Sequence, residues 1–532
     1  MLRIANFRVA IDDDSPLPLL AARRLRLPPG SVTAVTIVRR AVDARRKSNI
    51  TFVYSLDVAV TVPEGQVLAR LAGDRDVAAR AEEAPPPVVP GHKPLDWPPV
   101  VVGAGPAGLF AALTLAEHGY RPVLLERGQD VETRTRDVAR FWQTGEFDPA
   151  SNVQFGEGGA GTFSDGKLTT RVSDPRSAQV LDTLVAAGAP PEIKYLHKPH
   201  VGTDKLRAVV AALRRRIIAA GGTVEFASQV TDIAVDGGAL TGLIVNGNRH
   251  IPANIALFAV GHSARDTYKM FAGRGVAMTA KPFAVGLRIE HPQELIDRAQ
   301  YGALAGHPRL GAADYALVFQ DRAAGRTAYS FCMCPGGLVV AAASEAGGVV
   351  TNGMSLFARA SGLANSALVV NVGPTDFGDG ALAGIEFQRR WERLAYEAGG
   401  RTYAAPVQTV GGFLAGRSGG RDFLAPPSYR PDTAAADLAA CLPPAVAATL
   451  ARALPDFGRK IKGFDHPGAV LTGVETRTSA PVRIVRGADY MSVTVAGLVP
   501  VGEGAGYAGG IMSAALDGLN AALAVIGEYR PF

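Results

Sequence analysis

Cysteine is nearly absent from this chain, with only Cys332, Cys334 and Cys441 among 532 residues. A fold stapled by disulfides would need more, so a reducing compartment is the simpler expectation and the cytoplasm the expected location. Charge is sparse too, at 20% of residues against 47% hydrophobic, which excludes a disordered chain. Long apolar runs are missing. The longest, residues 100–116, falls short of the about 20 residues a membrane span needs, and three glycines and Pro106 interrupt it. The opening MLRIANFRVAIDDD has no apolar stretch followed by a small-residue cleavage site, which argues against a secretory signal. No period recurs, so solenoids and propellers are set aside.

What is present is length enough for several domains, and 61 glycines that imply many tight turns and helix starts. The net charge of +6 is local: residues 1–50 carry ten Lys/Arg against four Asp, leaving 45 of each sign elsewhere. Such a patch suits an acidic partner such as RNA or an electron-carrier protein, or it is simply a solvated face. Alternating apolar residues over 2–11, 32–38 and 50–60 predict strands, with an amphipathic helix over 18–27, giving a small β-α-β-β unit. A helix is expected over 66–81. The run Pro85-Pro86-Pro87-Val88-Val89-Pro90-Gly91 then reads as a stiff linker. Further helices are expected over 178–188, 205–221, 387–398 and 434–454, and strands over 223–226, 243–245, 255–259, 283–290, 338–343 and 367–372.

The strongest local signal follows the linker. Val100-Val101-Val102 is a short apolar strand, and Gly103-Ala104-Gly105-Pro106-Ala107-Gly108 leads from it into a helix. In that context Gly103 makes the tight turn, Gly105 lets the backbone approach a pyrophosphate, and Gly108 lets the helix pack on the sheet. The diphosphate would sit on the helix N-terminus, beside Pro106 and Ala107. The next strand, 122–125, ends in Glu126, placed to accept hydrogen bonds from the adenosine ribose, with Arg127 beside it.

Near the C-terminus, 497–504 reads as a strand ending in Gly502-Glu503, followed by a turn through Gly510-Ile511 and a helix. This resembles flavoproteins of the glutathione-reductase-like superfamily, in which the acid binds the ribityl chain and the helix points its N-terminus at the flavin ring. The resemblance assigns those roles to Glu503 and to Gly510 and Ile511. The long stretch from Asn152 to Leu168, together with Phe331-Cys332-Met333-Cys334-Pro335-Gly336-Gly337, Asn352-Gly353-Met354-Ser355, 473–483, Ala44-Arg45-Arg46-Lys47 and Phe52-Val53-Tyr54-Ser55, is similar to a group of largely uncharacterised bacterial FAD-dependent, or NAD(FAD)-utilising, dehydrogenases. That resemblance implies non-covalent FAD and an α/β fold: a discontinuous Rossmann-type, three-layer FAD-binding domain, a mixed-sheet substrate or cap domain, and a small N-terminal α+β domain. The expected division is 1–84 basic domain, 85–97 linker, 98–275 first FAD-binding part, 276–413 cap, 414–470 helical insertion and 471–532 second FAD-binding part. It also implies that Gly158, Gly159, Ala160, Gly161 and Thr162 lie by the diphosphate and ribityl chain, that Val230 clamps the adenine through its backbone, and that Gly261 crosses beside the cofactor.

FAD carries the electrons, so the protein has to supply a cavity and groups that hold or move protons. Four side chains are candidates. Cys332 and Cys334 point to one face of an extended strand about 6.5–7 Å apart, the outer limit for a disulfide, so a bridge would need a bend. They read either as a dithiol exchanging electrons with flavin or as two small buried residues. His262 is the candidate acid or base, or else the holder of a turn. Lys167 pairs with a phosphate or relays a proton. Arg288 and His291 line a pocket for an acidic substrate, or Arg288 and Glu290 neighbour each other on an exposed strand edge. No second GxGxxG follows a strand, so a separate nicotinamide domain is not expected. NAD(P)H docking transiently, a protein carrier and a small-molecule substrate stay open as electron partners. The leading expectation is an FAD-dependent dehydrogenase; a flavin-dependent RNA-modifying enzyme and a non-catalytic flavin module are the alternatives.

Overall fold

In the computed structural model the described residues are 1–81, 87–170, 172–418 and 422–531, so Pro85 and Pro86 of the proline run lie outside them. The N-terminal unit forms the expected β-α-β-β order: Leu2–Ala10, Leu17–Arg24, Val32–Asp43 and Thr51–Val60. The helix expected over 66–81 is shorter. It covers Glu64–Arg70 and stops before Gly73, whose φ of +90° suits a turn, and Val77–Ala79 then pairs antiparallel with Leu2–Ile4. Leu2, Ile4, Leu56 and Val58 face Leu20 and Ala21 of the first helix in one buried cluster. Four of the ten basic residues of 1–50 are paired within this unit, Arg3 with Asp57, Arg8 and Arg45 with Asp43, and Arg24 with Asp74.

A five-stranded sheet, all parallel, follows, in the order Leu498–Pro500, Ala256–Phe258, Val100–Val102, Val123–Leu125, Thr223–Glu225. Its strands are three residues long, and the inner Val100–Val102 and Ala256–Phe258 are apolar and buried on both faces, as helices covering both sides require. One edge strand comes from the last 40 or so residues, so the domain closes only when the C-terminal segment returns. The helix Ile511–Glu528 is long and apolar enough to cross a membrane by length and composition. Here it packs on Pro106–Glu117, so closely that a Cβ on Gly518 would lie 2.0 Å from the Ala107 carbonyl oxygen.

Between these parts lies a seven-stranded mixed sheet. Its order is Val318–Asp321, Arg326–Cys334, Leu363–Val372, Phe283–Pro292, Val470–Glu475, Ala405–Thr409, Thr433–Ala435, with only the last pair parallel. The cap therefore does not end at 413. Residues 433–435 and 470–475, placed by the sequence reading in an insertion and at the return, are strands of this sheet, and Val470–Glu475 sits inside it. The helix expected over 434–454 begins instead at Pro444, a first-turn position that proline suits, and runs to Lys460 with Pro455 inside it.

Candidate functional site

The parallel sheet brings its glycine turn to the bottom of a cleft. Gly103 takes φ +100°, and a Cβ there would lie 2.5 Å from the Ala259 carbonyl oxygen, so the turn requires glycine. The two helices that start at the cleft, after Gly105 and after Gly510, have no side chain capping their first turns, which leaves free amides at both ends of the site. Glu126 closes the adenosine side. Its buried carboxylate accepts from the backbone amides of Ala104 at 2.7 Å, Gly128 at 2.9 Å and Gly156 at 3.0 Å. With about four acceptor positions on a carboxylate, one is left for a ligand.

The cleft has an empty volume of ≈ 1600 Å³, open mouth included, and runs from this cradle to the cap sheet. Among the expected residues it is lined by Gly103, Gly105, Pro106, Ala107, Glu126, Arg127, Gly159, Ala160, Gly161, Lys167, Val230, Gly261, His262, Cys332, Glu503, Gly510 and Ile511. The structure places five others behind the wall. Gly108 backs onto the Gly103 carbonyl, Gly158 donates to the Ala104 carbonyl at 2.8 Å, and Thr162 is buried beside Glu157. Gly502 donates to Asp517 at 2.6 Å, and Cys334 is buried beneath Cys332. Arg127 stacks over Phe155 at 4.3 Å and pairs with Asp266 at 3.0 Å.

Neither reading of Arg288 holds. It lies on a central strand, fully buried, with its guanidinium forked onto Glu475 at 3.0 and 3.1 Å and donating to the Cys332 carbonyl at 3.1 Å. His291 is buried as well, bonded to the Phe464 carbonyl at 2.7 Å, so neither forms a substrate pocket.

The cap end of the cleft gathers the titratable groups. Burial, with Arg477 and Arg265 nearby, lowers His262 to about 3, so its imidazole is neutral; Nδ1 lies 2.9 Å from the Ser263 hydroxyl. A neutral imidazole is not poised as an acid at neutral pH, and its bond to Ser263 suits the holder of a turn. Burial would lower Lys167, but the negative charge of the Cys334–Cys332 pair and Asp165 outweigh it and raise the amine, which donates to the Met333 carbonyl and pairs with Asp165 at 3.3 Å. Lys167 is thus a fixed cation. Burial pushes Glu503 up to about 7, against the Gly510 amide and Lys281, with the charge of Cys332 adding to the rise.

Two supports escaped the sequence reading. Arg134 is fully buried and donates to the carbonyls of Asn152, Val153, Glu157 and Gly159 at 2.7–3.0 Å, shaping the glycine-rich loop from behind. Its position shared with Val131, Val138 and Phe141 on the buried face of the helix Val131–Thr144 was the available signal. Behind His262, Arg265 and Arg477 both grip Glu392 at 2.7–3.0 Å, and Arg477 reaches the Ser263 hydroxyl at 3.1 Å. These partners are far apart in sequence, and nothing local announces them.

An "Uncharacterized protein" of Clostridium beijerinckii is 48% identical over 530 residues, 99% of each chain. The chain belongs to its family. A model described as "FAD-dependent protein, C-terminal domain-like" matches residues 282–478, one described as "NAD(P)-binding Rossmann-like domain" matches 101–153, and a domain of unknown function matches 1–59. Among solved structures, CtdE in complex with FAD shares 12% identity with a TM-score of 0.32, covering 80% of this chain and 83% of that one. The flavin-dependent brominase Bmp2 shares 12% at 0.35, covering 80% and 78%, and a glycine oxidase of Bacillus cereus 11% at 0.31, covering 80% and 94%. The cradle passes its own test for the cofactor the family model names. The floor is bare where a dinucleotide would lie: a Cβ on Gly105 would meet only the Gly159 Cα, at 3.8 Å, and one on Gly261 or Gly510 would meet nothing within 4 Å. The family's cofactor is FAD.

Proposed function

We propose that the protein is an FAD-dependent oxidoreductase of the dehydrogenase kind, exchanging a hydride between a small molecule or a nicotinamide and the flavin. The observation that carries this reading is one continuous cleft: a dinucleotide cradle at one end, and Lys167, His262, Cys332 and Glu503 at the other. Bound FAD supplies a ring that takes up an electron pair. The chain supplies the rest. Glu126 and the free amides after Gly105 would hold the adenosine and diphosphate, and the helix end at Gly510–Ile511 would favour negative charge at the far end of the cleft. Lys167 holds a permanent positive charge there, and Glu503, poised near neutral pH, is the group able to hold or release a proton. The three free thiols suit a reducing cytoplasm.

The RNA-modifying alternative would have to use the rest of the N-terminal basic residues, since Arg3, Arg8, Arg24 and Arg45 already pair with acids. Anaerobic mixing of the FAD-loaded protein with NADH and with NADPH, followed at the flavin absorbance, tests the proposal. Bleaching by either marks a nicotinamide-linked enzyme. Bleaching only by small organic reductants from a metabolite panel marks a substrate dehydrogenase, and inertness to every donor, dithionite included, refutes the reading.

A further inference from the structure

A strand that ran straight through Cys332 and Cys334 would hold their Cα atoms at the limit for a disulfide. The structure bends it. Cys332 takes φ +43°, a left-handed conformation uncommon for a residue with a side chain, and the pairing with Leu363–Val372 slips between Phe331 and Cys334. The slip turns Cys332 into the cleft while Cys334 stays buried beneath it, its thiol 3.3 Å from the Cys332 carbonyl. Two cations flank the pair through its backbone. The Lys167 amine reaches the Met333 carbonyl between the two cysteines, and Arg288 donates to the Cys332 carbonyl from the other side. Each cation also has a carboxylate partner, Lys167 with Asp165 and Arg288 with Glu475.

We propose that Cys332 and Cys334 form a dithiol–disulfide couple that exchanges an electron pair with the FAD of the same chain, giving the protein a second two-electron store. The inference rests on the flavin being redox-active, as proposed above. Hydrogen bonding from Cys334, with Lys167 and Arg288 close by, holds the Cys332 thiol well below its usual range, whereas its bond to Cys332 and burial hold Cys334 well above. Cys332 therefore enters as the thiolate and Cys334 as the thiol. In the oxidising direction the S–S bond forms as the pair gives up two electrons and the Cys334 proton. Oxidised flavin takes both electrons and that proton, so one negative charge passes from the sulfur pair to the reduced flavin and the total is unchanged. The reverse transfer breaks the S–S bond and restores thiolate and thiol.

The test is an anaerobic dithionite titration of the FAD-loaded full chain, purified in air without added thiol, with alkylation and mass spectrometry of the Cys332–Cys334 peptide at the start and end. Two electron pairs per flavin are expected before bleaching is complete, with neither cysteine alkylated at the start and both at the end. Cys332→Ser and Cys334→Ser should each bleach with one pair. Wild-type protein that bleaches fully with one pair, its two cysteines alkylated equally before and after, overturns the couple and leaves the flavin reading intact. A flavin that never bleaches overturns both.

Discussion

Glu126→Gln separates the structural from the ligand-binding work of the adenosine-side carboxylate. That carboxylate satisfies three buried amides, of Ala104, Gly128 and Gly156. Removing it outright with Ala would orphan all three, at about 1–3 kcal/mol each. A loss of roughly 3–9 kcal/mol is comparable with the whole stability of a domain, about 5–15 kcal/mol, so Glu126→Ala is expected to yield little folded protein. Gln keeps one acceptor oxygen and nearly the same shape. It should orphan one amide and lower the stability of the apoprotein by about 1–3 kcal/mol. Its effect on the cofactor is separate, because a charge-assisted hydrogen bond to a ribose hydroxyl contributes about 1.5–3 kcal/mol, or about 10–150-fold in affinity. Urea unfolding of the apoprotein reads the first number, and titration of apoprotein with FAD by flavin fluorescence reads the second. Glu126→Gln that loses stability yet binds FAD within about twofold of wild type would refute the ribose contact.

Arg134→Met leaves the backbone of the glycine-rich loop without its internal donor. FAD affinity is expected to fall by at least about tenfold, and a variant that binds FAD normally by the same titration would show the loop to be self-supporting. Since His262 is neutral at all physiological pH values, the rate of flavin reduction in the wild type should show no inflection from it, and His262→Ala should shift the magnitude and not the pH profile; loss of an inflection in stopped-flow traces would restore an acid–base role. Burial raises Glu157, Glu290 and Glu503 to about 7, above their ordinary value near 4.5. Each binds its proton more tightly folded than unfolded, so its contribution is full below about 4.5 and fades as pH rises through about 7. Glu290→Gln, which fixes the neutral form, should flatten that slope in denaturant unfolding from pH 5 to 8; an unchanged slope counts against the assignment.

The parts legible in the sequence were those whose cause is local. A three-residue apolar strand, a glycine turn and a helix start are specified within a dozen residues, and 100–117 folds accordingly. Both errors in helix placement ignored local punctuation. Gly73 ends the helix expected over 66–81, and Pro443-Pro444 dictates where the helix Pro444–Lys460 starts, although the alanine-rich residues before it have the composition of a helix. The order of the cap sheet was out of reach, because Val470–Glu475 pairs with Phe283–Pro292 across nearly two hundred intervening residues. Charge was misread for the same reason. Arg288 looks solvent-facing until Glu475 is known to lie opposite it.

Equilibrium binding of FAD, FMN and ADP to the apoprotein reads most directly whether one cleft, built from both ends of the Rossmann domain, holds the whole cofactor. One FAD per chain is expected, bound far more tightly than either fragment, because the Gly103–Gly108 turn with Glu126 grips one half and the Glu503–Ile511 segment the other. Protein that takes up no FAD, or that binds FMN or ADP as tightly as FAD, would contradict it.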